Sequence, residues 1–214
     1  MSDGIETARG KKVLIRFESK RCIHSRQCVL ARPDVFVPNV AGEWIHPDAV
    51  GADAVAAIAQ QCPSGAIQYE RLDGEPNELA PGVNTVRVRE NGPLAVHAKM
   101  RLDGRDLGVR VTLCRCGASK NKPLCDGSHS AAGFVATGEP TTNESEPLAT
   151  RDGLVELSRS KDGPLEVSGN VEIVSGTGRT IGRTTKTWLC RCGQSANKPY
   201  CDGTHRKIGF TDAV

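Results

Sequence analysis

From Cys114 to His129 the chain reads Cys-Arg-Cys-Gly-Ala-Ser-Lys-Asn-Lys-Pro-Leu-Cys-Asp-Gly-Ser-His, and from Cys190 to His205 it writes the same pattern again. Three thiols and one imidazole recur at one spacing: Cys-x-Cys, eight residues, then Cys-x3-His. Two copies within one chain make coincidence a poor explanation. A chain of 214 residues has room for one or two ordinary domains or three small ones, and the internal repeat favours three. Aromatic residues make up only 4% of it. Small units with so few large side chains to bury usually need a metal or a covalent staple.

The cysteines decide which staple to expect. There are nine, in three groups of three: Cys22, Cys28 and Cys62; Cys114, Cys116 and Cys125; Cys190, Cys192 and Cys201. A disulfide framework would pair them evenly. The start of the chain, Met-Ser-Asp-Gly-Ile-Glu, lacks an apolar core and carries acids that a transit peptide would not, so neither secretion nor organelle import is signalled. No apolar run approaches the roughly 20 residues of a membrane span. These features predict a soluble, cytoplasmic bacterial protein in which thiols stay reduced and serve metals. A net charge of +3 is too small for nucleic-acid binding, which needs a dense basic stripe. Locally, Lys20, Arg21 and Arg26 surround the first cysteine pair, and Arg115, Lys120, Lys122, Arg191 and Lys198 lie inside the repeats. They offset the charge of metal-bound thiolates or form a docking surface for an acidic partner.

Read in order, Lys12–Phe17 predicts a strand that delivers Cys22 and Cys28 into a loop and a short helix ended by Pro33 and Asp34. Gly42–Ile45 reads as a short strand, Asp53–Gln61 as a helix, and Ala66–Tyr69 as a strand after Cys62-Pro63. Residues 71–83 form a linker. Each repeat then supplies three strands, 85–88, 93–100 and 109–113 in the first and 155–157, 167–174 and 185–189 in the second, with Asn91-Gly92 and Asp162-Gly163 as hairpin turns. Residues 137–150 read as a second linker. Behind each third cysteine a short helix is expected, capped by Asp126 or Asp202, with His129 or His205 in its first turn and Gly133 or Gly209 as its stop. Its positive end would face the metal site.

Spacing alone leaves the metal open. Cys3His is a common zinc set, although zinc pairs usually have two to four intervening residues, and the tight Cys-x-Cys suits two sulfurs reaching one iron of a two-iron core. Cys114-x-Cys116-x2-Ser119-x3-Pro123-x-Cys125-Asp126-Gly127-Ser128-His129 resembles the CDGSH iron–sulfur signature of the mitoNEET family. The second copy matches with Ser195, Pro199 and Thr204. The resemblance covers residues 84–214 and implies two [2Fe-2S] clusters, one on Cys114, Cys116, Cys125 and His129, the other on Cys190, Cys192, Cys201 and His205. Two cysteines would bind one iron, and a cysteine with the histidine the other. Two motifs in one chain look like the tandem branch of that family, whose halves pack as an internal pseudo-dimer. His24, His46 and His97 read as surface or turn residues.

Cys22-x5-Cys28 with a remote Cys62-Pro63 resembles a single-cluster bacterial ferredoxin over residues 12–70, with Ser25 standing where its middle cysteine would be. Three thiolates suit a [3Fe-4S] cluster. A [4Fe-4S] cluster, the usual description of the divergent ferredoxin-like family, would need His24, Ser25 or water on its last iron.

The expected fold class is α+β: an N-terminal ferredoxin-like domain (1–70), a linker (71–83), and two small mostly-β repeats (84–136 and 151–214) joined by a linker (137–150) and packed as an internal pseudo-dimer. The expected function is electron transfer, with transfer of [2Fe-2S] clusters beside it. The partners are redox or cluster-acceptor proteins of acidic character, with no nucleic acid and no membrane, and the chain is expected to be a monomer with an internal pseudo-two-fold. No nucleotide loop, nucleophile elbow or metal-hydrolase helix marks it as an enzyme. The alternative is a zinc-stapled interaction module with no redox role.

Overall fold

The computed structural model describes residues 4–212, which fall into two compact units divided between Leu79 and Ala80. The reading of the extreme N-terminus therefore rests partly on residues 1–3, which lie outside the described residues. Among the described residues, no helix is long and apolar enough to cross a membrane. The architecture is mixed α and β, with strands dominant.

In the first unit, β1 (Ile5–Arg9), β2 (Val13–Glu18) and β3 (Ile67–Arg71) form an antiparallel sheet in that order. β1 was not anticipated, because Ile-Glu-Thr-Ala-Arg is almost wholly exposed and carries no buried stripe to read; its pairing with β2 alone defines it. α1 (Gln27–Ala31) and α2 (Ala52–Gln60) follow the expected helices closely. α2 buries Ala52, Val55, Ala56, Ile58 and Ala59 on one face, the period a helix needs to cover a core. The strand expected at Gly42–Ile45 reduces to a single bridge between Ile45 and Phe36. Asn39 and Gly42 both hold positive φ there (60° and 104°), which bends the chain out of an extended path. Val13, Ile15, Val35, Phe36, Val55 and Ile67 build the core, with Cys62 among them and Cys22 and Cys28 packed at its edge.

The second unit holds both copies of the repeat. Their strands, β4 (Thr85–Val88), β5 (Leu94–Leu102), β6 (Arg105–Leu113), β7 (Leu154–Arg159), β8 (Leu165–Val174) and β9 (Thr180–Leu189), belong to one six-stranded sheet. The first strand of each copy pairs antiparallel with its own middle strand and parallel with the middle strand of the other copy: β4 with β5 and β8, β7 with β8 and β5. The hydrogen-bonded path β4–β5–β7–β8 thus closes on itself. Inward residues of both copies, including Val86, Val96, Met100, Leu113, Val155, Leu165, Ile173 and Leu189, make one core. β6 begins earlier than expected because Asp103-Gly104, both at positive φ (49° and 80°), turn β5 directly into it. Residues 137–150 have no regular element, but they are tied down: Asn143 N–H donates to Ile181 O at 2.7 Å, and Gly138 O accepts from Gly176 N–H at 2.7 Å.

A buried carboxylate stands inside this sheet. Glu172 of β8 is 3% exposed; it accepts from Arg151 Nε at 2.7 Å and Thr180 Oγ1 at 3.3 Å, with Arg183 Nε 3.7 Å away. The Arg151 bond holds its carboxyl below the usual range. A carboxylate depressed in the fold adds stability above its unfolded value, about 4.3, and that stability is lost as pH falls through the lower folded value. Glu172→Gln is therefore expected to lower unfolding free energy at neutral pH by roughly 1.5–3 kcal/mol. In denaturant titrations at stepped pH, the gap from wild type should shrink on the acid side.

Candidate metal centres

Each repeated loop is folded back on the strand that delivers it. Cys114 leaves the end of β6 and its N–H donates to Pro123 O (2.8 Å), while Cys125 N–H donates to Thr112 O (2.8 Å). The second copy repeats this with Cys190 to Pro199 O (2.9 Å) and Cys201 to Trp188 O (2.9 Å). The returning segment thus sets the third cysteine beside the first pair. The other motif residues hold the loop. Ser119 Oγ, 1% exposed, donates to Leu124 O (2.7 Å) and accepts from Asn121 N–H (3.0 Å); Ser195 does the same with Tyr200 and Asn197. The Asp126 carboxylate bridges Lys120 N–H (2.8 Å) and Ser128 N–H (3.0 Å), matched by Asp202 with Ala196 and Thr204.

The expected helices are single turns, α3 (Ser128–Ala131) and α4 (Thr204–Lys207). Their N-caps are Gly127 and Gly203, at φ 87° and 86°, not the preceding aspartates. The backbone must turn left-handed at that point to bring the histidine round, which only glycine does cheaply. A four-residue turn has little dipole to aim. Direct bonds do that work: Gly127 N–H donates to Cys125 Sγ at 3.4 Å, and Gly203 N–H to Cys201 Sγ at 3.5 Å.

The donors stand as two pairs in each loop. Cys114 Sγ and Cys116 Sγ lie 3.7 Å apart, as do Cys190 Sγ and Cys192 Sγ. Two sulfurs on one tetrahedral metal with bonds of about 2.3 Å are separated by about 3.8 Å. Cys125 Sγ is 3.4 Å from His129 Nδ1, and Cys201 Sγ is 3.3 Å from His205 Nδ1, again the span of one tetrahedral metal. Nδ1 is the facing ring nitrogen in both, a detail no spacing reveals. Among the described residues no group of three or more His, Cys, Asp or Glu side chains is gathered tightly enough for a single metal ion. Within the first pair the hydrogen bond to Cys114 holds the Cys116 thiol below the ordinary thiol value, and the same bond pushes Cys114 up. Burial raises Cys125 to about 11, raises Cys192, and lowers His129. The two loops differ in exposure: His205 is buried and His129 half-buried, whereas Cys125 is buried and Cys201 half-buried.

The residue between the two cysteines of each Cys-x-Cys is a buried arginine, with Arg115 1% and Arg191 2% exposed. Arg115 Nε donates to Gly92 O (2.9 Å), Nη1 to Thr137 O (2.9 Å), and Nη2 to Arg89 O (2.5 Å) and Ala136 O (3.1 Å). Phe134 lies 5.3 Å from its carbon, a cation–π distance. Arg191 binds Gly163 O (2.8 Å) and Ser160 O (2.6 Å), packs over Phe210 at 5.9 Å, and pairs with the Asp212 carboxylate. Burial lowers Arg115 to about 10. These two arginines, together with Arg21 (6% exposed), are interior groups and contribute no docking surface; Lys122 and Lys198 spend their ammonium groups on Ser119 O and Ser195 O. The loops also touch each other. A Cβ on Gly117 (φ 81°) would stand 2.5 Å from Cys192 O, and one on Gly193 (φ 78°) would strike the Cys116 carbonyl.

In the first unit, Cys22, Cys28 and Cys62 line one cavity of about 580 Å³ together with His24, Ser25 and Trp44. Cys22 follows a single 3-10 turn, Cys28 lies in α1, and Cys62 follows α2. His24, at φ 52°, donates its N–H to Cys22 Sγ (3.4 Å) and sets Nδ1 3.9 Å from the same sulfur. Cys62 Sγ is 3.5 Å from Ser64 Oγ. Burial raises Cys22 and Cys28 above the ordinary thiol value. Three thiols that line one cavity from a 3-10 turn, a helix and the loop after another helix are a different arrangement from the repeats.

A family profile described as an iron-binding zinc finger of CDGSH type matches residues 91–130 and again 162–206. "CDGSH iron-sulfur domain-containing protein 1" of Bos taurus is 36% identical over 91 residues, 42% of this chain and 76% of that protein. The chain belongs to the CDGSH iron–sulfur domain family. "CDGSH iron-sulfur domain-containing protein 2 homolog A" of Branchiostoma floridae is 31% identical over 94 residues, 44% of this chain and 63% of that protein. A second profile, described as a divergent 4Fe-4S mono-cluster, matches residues 8–72. Escherichia coli K12 YjdI is 33% identical over 70 residues, 32% of this chain and 90% of that protein.

Within the CDGSH loops, sequence reasoning missed the abutting glycines. The signal available was a glycine directly after each Cys-x-Cys, which marks a turn but not what lies against it. Gly117→Ala combines a left-handed backbone with a contact against a carbonyl, and should cost roughly 2–4 kcal/mol. Thermal melts should fall, and iron bound by the second loop should fall with that of the first, because the Cβ pushes on Cys192.

Proposed function

We propose that this chain carries single electrons between protein partners on two [2Fe-2S] clusters, held by Cys114, Cys116, Cys125 and His129 and by Cys190, Cys192, Cys201 and His205, and on a third cluster held by Cys22, Cys28 and Cys62. The observation that carries the reading is the pairing of donors in each CDGSH loop, a 3.7 Å sulfur pair beside a sulfur–nitrogen pair of 3.4 or 3.3 Å. An iron–sulfur cluster supplies reversible one-electron chemistry when bound. The protein's part is to set its charge and access. An imidazole in place of a thiolate removes one negative charge from each site and raises its potential, the direction seen in two-histidine Rieske centres. A proton taken up at Nδ1 of His129 or His205 competes with the metal for that nitrogen, which makes the histidines the exit points for handing a cluster to an acceptor. The two copies act as an internal pseudo-dimer within a monomer in the cytoplasm, and the partners are redox or cluster-acceptor proteins that present acids to exposed Lys20, Arg26 and Lys120.

For the first unit we favour a [3Fe-4S] cluster, since three thiolates complete its protein ligands. A [4Fe-4S] cluster is the second reading, favoured by the description of the matching profile and by the position of His24 Nδ1 3.9 Å from Cys22 Sγ. A paramagnetic signal in the air-oxidised protein is expected for [3Fe-4S], because the oxidised [2Fe-2S] and [4Fe-4S] forms are silent. Cys28→Ser should abolish that signal while leaving the visible absorption of the CDGSH clusters in place.

Visible spectra with iron, sulfide and zinc content test the whole reading: a coloured protein with iron and sulfide is expected, and a colourless one with stoichiometric zinc would return the loops to a structural role. His129→Cys and His205→Cys should each lower the potential of the altered centre and slow its bleaching in mild acid. Incubation with an apo-ferredoxin, in which colour either moves to the acceptor or stays, separates cluster transfer from electron carriage alone.

A further inference from the structure

The two CDGSH sites repeat each other bond for bond until the chain reaches the residue that closes each one. In the first, Asn91 Oδ1 accepts from Ala136 N–H at 3.0 Å. In the second, Asp162 Oδ1 accepts from Asp212 N–H at 2.8 Å. Ala136 and Asp212 are therefore the same structural position, one a methyl and the other a carboxylate. The carboxylate pairs with the guanidinium of Arg191, and the Asp212 side chain is 6% exposed. At the equivalent place Arg115 finds only the backbone carbonyls of Ala136 and Thr137. Glu90, the carboxylate on the first-repeat side whose charge acts on Arg115, does so from an exposed position and gives an oxygen to Gly138 N–H. Lys122 Nζ, 3.9 Å from the other oxygen of Asp212, offsets part of the added charge and belongs to the first repeat.

Both guanidiniums lie in the interior, each one residue from two proposed ligands, where charges act over a low dielectric. A cation there favours the more negative, reduced state of its centre, and an ion pair favours it less, since local net charge is one of the protein's means of setting a cluster potential. We propose that Asp212 makes the two CDGSH centres unequal, holding the second-repeat centre at a lower reduction potential than the first, so that one electron added to the pair rests in the first repeat. The loops are in backbone contact at Gly117 and Cys192 and at Gly193 and Cys116, so exchange between the halves needs no diffusing carrier. This inference rests on the two-cluster reading above.

The test is a dithionite titration of the full chain under anaerobic conditions, followed by visible absorption and circular dichroism. The wild-type CDGSH centres should reduce in two one-electron steps whose equilibrium constants differ at least tenfold, about 59 mV for a one-electron couple. Asp212→Asn should move the lower step up toward the upper one. Ala136→Asp, which leaves the Arg191 pair untouched, should move the upper step down toward the lower one. A merely structural role for Asp212 would not produce these opposite shifts. A coloured wild-type protein that reduces both centres in a single step overturns this inference alone, as does an unchanged gap in a fully loaded Ala136→Asp protein. A colourless protein overturns the cluster reading and the inference with it.

Discussion

The capture of one guanidinium by backbone carbonyls organises each CDGSH site. Arg115 lies between two donor cysteines, and its nitrogens reach Arg89 and Gly92 on the turn before β5 and Ala136 and Thr137 beyond α3. A single side chain thus ties the loop to both segments that flank it. Leaving such a group half-satisfied would cost several kcal/mol, so the segments that supply the carbonyls are fixed as firmly as the loop. Arg191 repeats this with Ser160 and Gly163 and replaces the last carbonyls by a carboxylate. The Arg115 guanidinium also brings positive charge within reach of the Cys116 and Cys190 thiols. An arginine's planar fork meets several acceptors at once; a lysine at either position would leave carbonyls unbonded.

Much of this was legible in the sequence. The hairpin turns Asn91-Gly92 and Asp162-Gly163, the alternating strands around them and the helix after Gly51 all announce themselves through period and turn chemistry. The donor residues were legible because metal chemistry demands particular side chains at tight spacing, and Ser119, Asp126 and Gly127 could be picked out as motif members although their work as loop braces could not. β1 was hidden because an exposed edge strand has no apolar stripe. The crossed pairing of β4 with β8 and β5 with β7 was hidden for another reason: alternation tells which face of a strand is buried, not which strand lies beside it. That Arg115 and Arg191 are interior was hidden because a charged residue in a loop reads as surface until its acceptors are seen.

The two units gather three cysteines in different ways. In the CDGSH loops two thiols are one residue apart at a strand end, and the third arrives on a return held by backbone bonds, so the site is a local structure of sixteen consecutive residues, Cys114 to His129, and it can be copied. In the first unit Cys62 arrives from the end of α2, beside a core that also packs Cys22 and Cys28. Those thiols are brought together only when the core forms. Metal loading and folding should consequently be coupled more tightly in the first unit, whereas each CDGSH loop keeps its pairs through short-range bonds.

The crossed strands explain why the copies need each other. Neither β4 nor β7 is paired on both sides without a strand from the other copy, and the sixteen core residues come from both. A lone copy would expose an open edge and half a core, and the carbonyls of Cys116 and Cys192 would lose the glycines that face them. Carrying both copies in one chain meets that requirement at an effective concentration no separate partner matches. It also frees the halves to differ. In a pair built from identical chains, a carboxylate placed beside one guanidinium is placed beside both; here Asp212 can stand in one half while Ala136 stands in the other, and the symmetry of the backbone is kept while the symmetry of charge is not.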